Sequence, residues 1–194
     1  KCEYVHDEEY LPLVLKLIRE AKQSVMIAMY AIPDRKTTRQ ALNDVRHALA
    51  NAVQRGVKVY MVLNTPSAAD DALNESHSEL AEEWRELGID VRLATPMERM
   101  HDKMMVVDLK KVLVGSHNWS EEAITGRRVY ESSAYLELSE PEQKLAEGIM
   151  GIETISDMRS RENWENEITL IRHLDAMSPS QRGEWIARQK FSAG

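Results

Sequence analysis

The residues best suited to chemistry in this sequence lie in one stretch, from His101 to Asn118. One residue separates His101 from Lys103, and one residue separates Ser116 from Asn118. A histidine can attack an electrophile, while an amine, a hydroxyl and an amide can donate hydrogen bonds to anionic oxygens. Brought to one place, these four side chains would form a nucleophile surrounded by donors for the oxygens of a phosphate ester.

The same stretch predicts two short strands that bring these side chains together. Residues 104–107 are typical of a buried strand, residues 108–111 of a turn, and residues 112–114 of a return strand. Side chains two residues apart on a strand share a face, so the histidine and the lysine project together. The return strand carries the hydroxyl and the amide back toward them, and Gly115 permits a close backbone approach there.

The spacing of this stretch, H-x-K-x4-D-x6-G-S-x-N, resembles the signature of the phospholipase D superfamily, with all six specified residues present. At background residue frequencies, a chain of this length would match by chance with a probability of about 10⁻⁶. The resemblance covers roughly residues 5–155. It implies a phospholipase D-like fold and a phosphodiesterase that uses no metal ion or other cofactor.

The resemblance also implies a role for each motif residue. His101 would attack phosphorus and form a covalent phosphohistidine, while a second histidine would protonate the leaving oxygen and later activate water. Lys103 and Asn118, helped by Ser116, would hold the non-bridging oxygens. Asp108 would have a structural role or support the reacting residues from outside the site.

Glu131 is a further candidate, for orienting the histidine ring through Nδ1. The superfamily places an acidic residue at this stage of the chain, and the resemblance transfers that role to Glu131. The match is looser here than in the motif, because an asparagine common in the family two residues earlier is Val129 in this sequence.

The number of motifs predicts the oligomeric state. Of the six histidines, only His101 is followed by x-Lys, whereas larger members of the superfamily carry two copies of the motif in one chain. The second histidine must therefore come from a second copy of the chain, across a two-fold axis. The paired rings would titrate together, which predicts a bell-shaped pH–rate profile with its maximum in the mildly acidic to neutral range.

Helical and strand-like segments alternate over the first two thirds of the chain. The six segments are 8–22 (helix), 24–31 (strand), 37–55 (helix), 57–63 (strand), 74–87 (helix) and 89–93 (strand). This alternation is typical of βαβ units. We therefore expect an α/β fold with a mixed, mostly parallel central sheet flanked by helices on both faces, followed by a C-terminal helical extension.

The domain organisation follows from the same patterns. We expect residues 1–155 to form the catalytic domain and residues 156–194 to form a helical extension packed on it. Ser178, followed by Pro179 and Gln181, predicts a helix start. A stripe at helical spacing precedes it, formed by Trp164, Ile168, Ile171 and Leu174. The extension lies outside the resemblance, and its residues indicate no function.

Composition excludes several classes of protein. With 194 residues, 43% of them hydrophobic and 29% charged, the chain suits one globular domain with an appendage. The single cysteine, Cys2, excludes an internal disulfide and a cysteine-based zinc site. No apolar run approaches the ~18 residues of a membrane span. The net charge of −7 argues against binding nucleic acid by bulk charge, but not against a local basic patch.

The first residue bears on localisation. Lys1 stands where an initiator methionine is expected, so we expect that an upstream segment has been removed. A signal peptide, a membrane anchor or a cloning boundary would each leave this start. The expected compartment is the cytoplasm or, if a signal or anchor was removed, the periplasm or a membrane surface.

Two classes of function are consistent with these residues. The first is a metal-independent phosphodiesterase that works as a homodimer, with DNA or RNA as first choice of substrate, cut without sequence preference, and a phospholipid such as cardiolipin as the alternative. The second is a module that binds phosphate esters without turnover. The adjacent His101 and Asp102 also suggest a metal site, but neighbouring strand residues point to opposite faces.

Residues around the motif have two interpretations each. Trp119 either stacks on a base or packs in the core, and core packing is favoured. Core packing is also favoured over a binding surface for four methionines, Met97, Met100, Met104 and Met105. Four basic residues either follow a phosphate backbone or lie in solvated turns, namely Lys110, Lys111, Arg127 and Arg128.

Overall fold

Seven strands form one mixed sheet in the computed structural model, which describes residues 1–33, 40–65, 71–96, 98–157, 173–174 and 176–192. The strands are β1 (Cys2–His6), β2 (Ser24–Met29), β3 (Lys58–Leu63), β4 (Asp90–Leu93), β5 (Lys103–Val107), β6 (Lys111–Gly115) and β7 (Ser132–Glu137). Their order across the sheet is β1-β7-β6-β5-β2-β3-β4. The strands of the motif, β5 and β6, therefore lie in the middle of the sheet.

Six helices accompany the sheet in the described part of the chain. They are α1 (Tyr10–Glu20), α2 (Gln40–Gln54), α3 (Asp71–Arg85), α4 (Glu121–Thr125), α5 (Gln143–Met150) and α6 (Pro179–Ser192), with 3₁₀ turns at Asp7–Glu9 and Ile155–Asp157. None of the helices in these ranges is both long enough and apolar enough to cross a membrane.

The strand directions correct one expectation. The pairs β2–β3 and β3–β4 are parallel, as the alternating pattern predicts. The other four described pairings are antiparallel, so the expectation of a mostly parallel sheet is wrong. Between β5 and β6 there are only three residues, and a connection this short joins antiparallel strands because a parallel pair needs a crossover of a dozen or more residues. The βαβ pattern of residues 24–93 does not extend to the second half of the sheet.

Helices cover both faces of the sheet, as expected for the α/β class. Val25, Ile27 and Met29 of β2 point into the larger core, which includes buried side chains of α1, α2, α3 and α4. Met26 and Ala28 of the same strand point into a smaller core on the opposite face, which includes buried side chains of α5. The period-two alternation of an apolar strand thus produces a sheet that is buried on both sides.

The C-terminal residues that the structure describes pack on the larger core. Leu174 is fully buried there, and Trp185 of α6 packs against the same cluster. The predicted start of α6 is confirmed, because Ser178 and Gln181 exchange the two hydrogen bonds of a capping box. The stripe residues Trp164, Ile168 and Ile171 lie outside the described residues, and the boundary at 155 remains a prediction.

Candidate active site

His101 and Lys103 stand at the N-terminal end of β5. Lys103 is the first residue of the strand and is only 8% exposed, whereas His101 precedes the strand and is exposed to solvent. The Lys103 ammonium donates a hydrogen bond of 3.0 Å to the backbone carbonyl of His101. The two residues are therefore neighbours where β5 begins, as their spacing predicts.

Tyr30 contacts both of these residues, although it lies about 70 residues earlier in the chain. Its ring centre is 4.6 Å from the centre of the His101 ring, at an angle of 59°. The Lys103 Nζ lies 4.9 Å from the same ring centre. Antiparallel pairing of Met29 with Lys103 places Tyr30 here, and the Tyr30 amide donates to the Asp102 carbonyl at 2.9 Å. Motif spacing gives no sign of this residue, and sequence reasoning missed it.

Burial changes the acidity of Lys103. The loss of solvation lowers the pKa of its ammonium, and the negative charges of Glu131 and Asp102 oppose this by raising it. Contact with the face of the Tyr30 ring also favours a cation at this position. The site therefore holds a partly desolvated ammonium beside an exposed imidazole.

Ser116 and Glu131 form the second part of the site. The Ser116 hydroxyl donates to the Glu131 carboxylate and accepts from the Ser132 amide at 3.0 Å. Gly115 allows this approach, because a Cβ there would lie 2.3 Å from the Ser132 carbonyl oxygen. The predicted close approach at Gly115 is thus confirmed.

The hydrogen-bond partners of Glu131 differ from the histidine ring that the sequence predicts. Its amide donates to the Asp7 carboxylate at 2.8 Å, and this hydrogen bond is the main reason that the pKa of Asp7 is lowered. Within the part of the chain that the structure describes, the Glu131 carboxylate bonds to Ser116 and makes no hydrogen bond to His101. The predicted contact between Glu131 and a histidine ring is therefore absent within one chain.

Asn118 is presented by two buried neighbours. His117 is fully buried, bonds through Nδ1 to the Ser133 hydroxyl at 2.7 Å, and stacks on the Tyr10 ring at 4.0 Å. The Trp119 amide donates to the Ala31 carbonyl at 3.0 Å. Between them, the Asn118 Oδ1 is shielded from solvent and has no hydrogen-bond partner among the described residues. Because Oδ1 is an acceptor, a role in holding phosphate oxygens would fall to the Nδ2 donors of Asn118.

The two parts of the motif, one before β5 and one after β6, lie at the same end of these two paired strands. Antiparallel pairing of Met104 with Val114 brings Lys103 level with Gly115, the residue before Ser116. The start of β5 and the end of β6 therefore coincide. The charge of Glu131 raises the pKa of Lys103, which also indicates that the two side chains are close. The backbone pairing thus agrees with the predicted convergence of the histidine, lysine, hydroxyl and amide, and the joint role of these side chains stays a prediction.

Asp108 does not lie with the others. It follows the opposite end of β5 from His101, and the five residues of that strand alone span about 16 Å at the usual rise. Its carboxylate accepts hydrogen bonds from the amides of Lys22, Gln23 and Ser24 at 2.7–3.2 Å. Asp108 therefore stabilises the turn between α1 and β2 and cannot touch a substrate bound at His101.

A buried network supports the segment that leads to His101. The Met100 amide donates to Asn64 Oδ1 at 3.0 Å, and the His77 ring lies 2.7 Å from the Asn64 carbonyl oxygen through Nδ1. The other ring nitrogen of His77 accepts from the Ile32 amide at 3.0 Å. Since Ile32 follows Tyr30 by two residues, the network joins the backbone on both sides of the Tyr30–His101 contact. Sequence reasoning missed Asn64 and His77.

The aromatic, methionine and basic residues near the motif lie in different environments. Trp119 is 1% exposed and packs in the core, as favoured from the sequence, and Met100 and Met105 are also buried; Met97 lies outside the described residues. Lys111 pairs with Glu20 at the Asp108 end of the sheet, away from His101. Only Arg127 and Arg128 of the predicted basic set lie exposed in the segment leading to Glu131. In the described ranges, no three His, Cys, Asp or Glu side chains cluster as metal ligands would.

Comparison with known proteins decides the family. The family described as "Cardiolipin synthase, PLD-like domain" matches residues 14–149 of the chain. This chain belongs to the phospholipase D superfamily. The resemblance inferred from the motif is thereby confirmed, and the mixed α/β sheet is the fold of that superfamily.

Relatives in the superfamily are named for different activities. A mitochondrial cardiolipin hydrolase of Mus musculus is 29% identical over 141 residues, which are 71% of this chain and 58% of that protein. A phospholipase D of Rickettsia prowazekii is 31% identical over 110 residues, 57% of this chain and 47% of that protein. The chain therefore spans about half the length of the curated relatives that it matches.

Solved structures of the superfamily share the fold. The phospholipase D family member Nuc from Salmonella typhimurium has a TM-score of 0.57 and 24% identity, covering 78% of this chain and 90% of that chain. NucT from Helicobacter pylori has a TM-score of 0.57 and 19% identity, covering 78% and 96% respectively. At these identities, the likeness establishes the architecture.

Proposed function

We propose that this chain is a phosphodiesterase whose nucleophile is His101. The observation that supports the proposal is the pairing of Met104 with Val114, which brings the start of β5, next to His101 and Lys103, level with the end of β6, just before Ser116 and Asn118. We infer that the exposed imidazole, the ammonium, the hydroxyl and the amide act there together. These groups can attack phosphorus and bind the oxygens of the transition state.

The reaction has two balanced steps. In the first, a ring nitrogen of His101 forms a bond to phosphorus, the bond from phosphorus to the leaving alcohol oxygen breaks, and a second histidine donates its proton to that oxygen. In the second, the same histidine removes a proton from water, the water oxygen bonds to phosphorus, and the phosphorus–nitrogen bond breaks. The products are an alcohol and a phosphate monoester, and no metal ion takes part.

The other motif residues bind charge. The Lys103 ammonium and the Asn118 amide hold the non-bridging oxygens as negative charge builds on them, and Ser116 assists. A partly desolvated ammonium is well suited to this task, because electrostatic attraction is stronger where water is excluded. Asp108 contributes only through the stability of the fold.

The second histidine comes from a second copy of the chain. Apolar side chains next to the site support this proposal: Tyr130 is 97% exposed, while Val114 and Val129 are 37% and 38% exposed. They adjoin Ser116 and Glu131, so a second copy seated here would bury them and bring its His101 to the site. Glu131, which does not reach its own His101, would then orient the ring of the other copy.

Nucleic acid is our first choice of substrate, cleaved without sequence preference. The names of Nuc and NucT, whose folds cover most of this chain, and the exposed Arg127 and Arg128 beside the site support it. A phospholipid is the alternative, supported by relatives named cardiolipin hydrolase and phospholipase D. The groups at the site act on a phosphodiester and do not distinguish the attached alcohol.

The test is turnover of a chromogenic phosphodiester with a chelator present. We expect the wild-type chain to retain activity, His101→Ala to lose it, and a reaction with ³²P-labelled substrate, quenched with SDS at alkaline pH to preserve the acid-labile phosphohistidine, to label the wild-type chain only. Binding without turnover would instead support a phosphate-binding module, and dependence on a metal ion would overturn the proposed mechanism. A parallel panel of single-stranded DNA, duplex DNA, RNA and cardiolipin vesicles separates the two substrate classes.

A further inference from the structure

The backbone on both sides of His101 is held by hydrogen bonds to residues outside the motif. One residue before His101, the Met100 amide donates to Asn64 Oδ1 at 3.0 Å. One residue after His101, the Asp102 carbonyl accepts from the Tyr30 amide at 2.9 Å. Because the His101 side chain is itself exposed to solvent, the position of its backbone depends on these two anchors.

Asn64, the first anchor, is a buried polar residue that directly follows β3. Its amide donates to the Met29 carbonyl at 3.4 Å, which continues the parallel pairing of β2 with β3 by one residue. Its side chain then reaches the Met100 amide in a buried hydrogen bond. A buried amide without an acceptor is unfavourable, so Met100 is confined to the place where Asn64 Oδ1 can accept from it.

His77 of α3 holds Asn64 in turn. The Nδ1 atom of His77 lies 2.7 Å from the Asn64 carbonyl oxygen, and its Nε2 atom accepts from the Ile32 amide at 3.0 Å. A carbonyl only accepts and an amide only donates, so the His77 ring is neutral and carries its proton on Nδ1. This ring, 1% exposed, therefore connects Asn64 with the segment after β2 that also carries the second anchor, Tyr30.

We propose that Asn64 is a positioning residue for His101 and that His77 keeps it in place. The inference rests on the proposed function, in which a ring nitrogen of His101 attacks phosphorus. Attack requires that nitrogen to lie in line with the bond that breaks, and a displacement of about 1 Å can cost about 10²-fold in rate. Asn64 is buried, so it acts on the reaction through Met100 and the backbone of His101 and not by touching the substrate.

Loss of the Asn64 acceptor should slow the chemical step more than it weakens substrate binding. Lys103 and Asn118 are proposed to bind the phosphate oxygens, and neither belongs to this network. We expect Asn64→Leu, which has a similar volume but no acceptor, to lower kcat at least about tenfold and to change KM less than about threefold. Asn64→Asp keeps an oxygen at the Oδ1 position and should retain kcat within about threefold. Rapid-quench measurement of phosphohistidine formation tests whether the slowed step is the attack.

Arg55→Met is the matched control, at the other end of β3. The Arg55 guanidinium donates to the carbonyls of Ile18 and Arg19 at 3.1 Å, at the end of α1. Arg55 precedes β3, whereas Asn64 follows it, so the control should lower stability in urea and leave kcat per folded molecule unchanged. The inference is overturned if Asn64→Leu keeps its kcat, if Arg55→Met loses as much, or if Asn64→Asp is as slow as Asn64→Leu.

A spectroscopic measurement separates this inference from the proposed activity. If the wild-type chain turns over no phosphodiester, the proposed function fails, and the NMR shifts of the His101 ring protons then decide. These protons lie near the Tyr30 ring, whose ring current shifts them. We expect Asn64→Leu to move the shifts toward those of a free histidine and Asn64→Asp to preserve them. Unchanged shifts in Asn64→Leu would refute the positioning role. If Asn64→Leu does not fold, Asn64→Ser replaces it, because the serine oxygen lies one bond nearer the backbone than Oδ1.

Discussion

The ammonium of Lys103 lies 4.9 Å from the centre of the Tyr30 ring, and this ring also packs against His101. Tyr30 thus contacts both residues of the histidine–lysine pair from a neighbouring strand. A ring in this place limits the orientations of the imidazole and stabilises the nearby cation. Tyr30 is therefore a positioning residue of the site.

Replacing Tyr30 tests this role. Tyr30→Leu should lower kcat about tenfold, because a partly desolvated cation–π contact contributes about 1–2 kcal/mol and the imidazole loses its neighbour. Tyr30→Phe keeps the ring and should stay within about twofold of wild type. Steady-state kinetics on a chromogenic diester measures both, with urea unfolding to separate loss of fold. Equal losses in the two variants would assign the effect to the hydroxyl and contradict the ring contact.

The pH dependence of activity should report the acidity of Lys103. The paired histidines set the first loss of activity above neutral pH. A further, alkaline fall is expected where the ammonium that binds the phosphate oxygens loses its proton, and because burial lowers its pKa, this fall should lie below the ordinary lysine value of 10.5. Glu131 raises this pKa, so Glu131→Gln should move the alkaline fall to lower pH. The readout is the position of that fall in a kcat/KM profile, together with a ¹⁵N titration of Lys103.

A control for that profile is Glu137→Gln, at the end of β7, whereas Glu131 directly precedes the start of that strand. We expect it to leave the alkaline fall in place. A rate that rises steadily through pH 9 in the wild-type chain would contradict the paired histidines, and a profile with no fall below pH 10.5 would contradict the role of the ammonium.

Asp108 should affect stability and not the chemical step. Asp108→Ala removes the acceptor of three backbone amides and should reduce the free energy of unfolding by about 2–4 kcal/mol. The kcat per folded molecule should change less than about threefold, since the site lies at the other end of β5. Urea unfolding and active-site titration measure the two quantities. A loss of kcat in fully folded protein would place Asp108 in the chemistry after all.

The exposed Tyr130 should control assembly. Tyr130→Glu puts a charge where the proposed two-fold contact buries an aromatic ring, so we expect a shift from dimer to monomer together with loss of activity. Light scattering after size-exclusion chromatography measures the mass. Met150→Glu, at another exposed apolar residue, on α5, serves as the control and should remain dimeric. An active monomer would disprove the shared site.

The spacing of residues 101–118 was sufficient to single out the candidate catalytic residues. Lys103 begins β5 and His101 lies just before it, so the two residues stay next to each other wherever that strand lies in the fold. A short turn had to return the chain, which brought the end of β6, just before Ser116 and Asn118, level with the start of β5. These are local rules of backbone geometry, and for that reason the sequence alone indicated the proposed nucleophile and the groups proposed to act beside it.

Long-range contacts were decided by the tertiary structure. Tyr30 meets Lys103 only because β2 pairs with β5 in one register, and Ala94 lies beside Thr154 through a single β-bridge between distant parts of the chain. Asp108 finds its partners about 85 residues away. Strand order and register depend on the packing of both cores at once, and no local pattern specifies them. The sequence therefore determined which groups are proposed to react, while the assembled sheet decided what surrounds them.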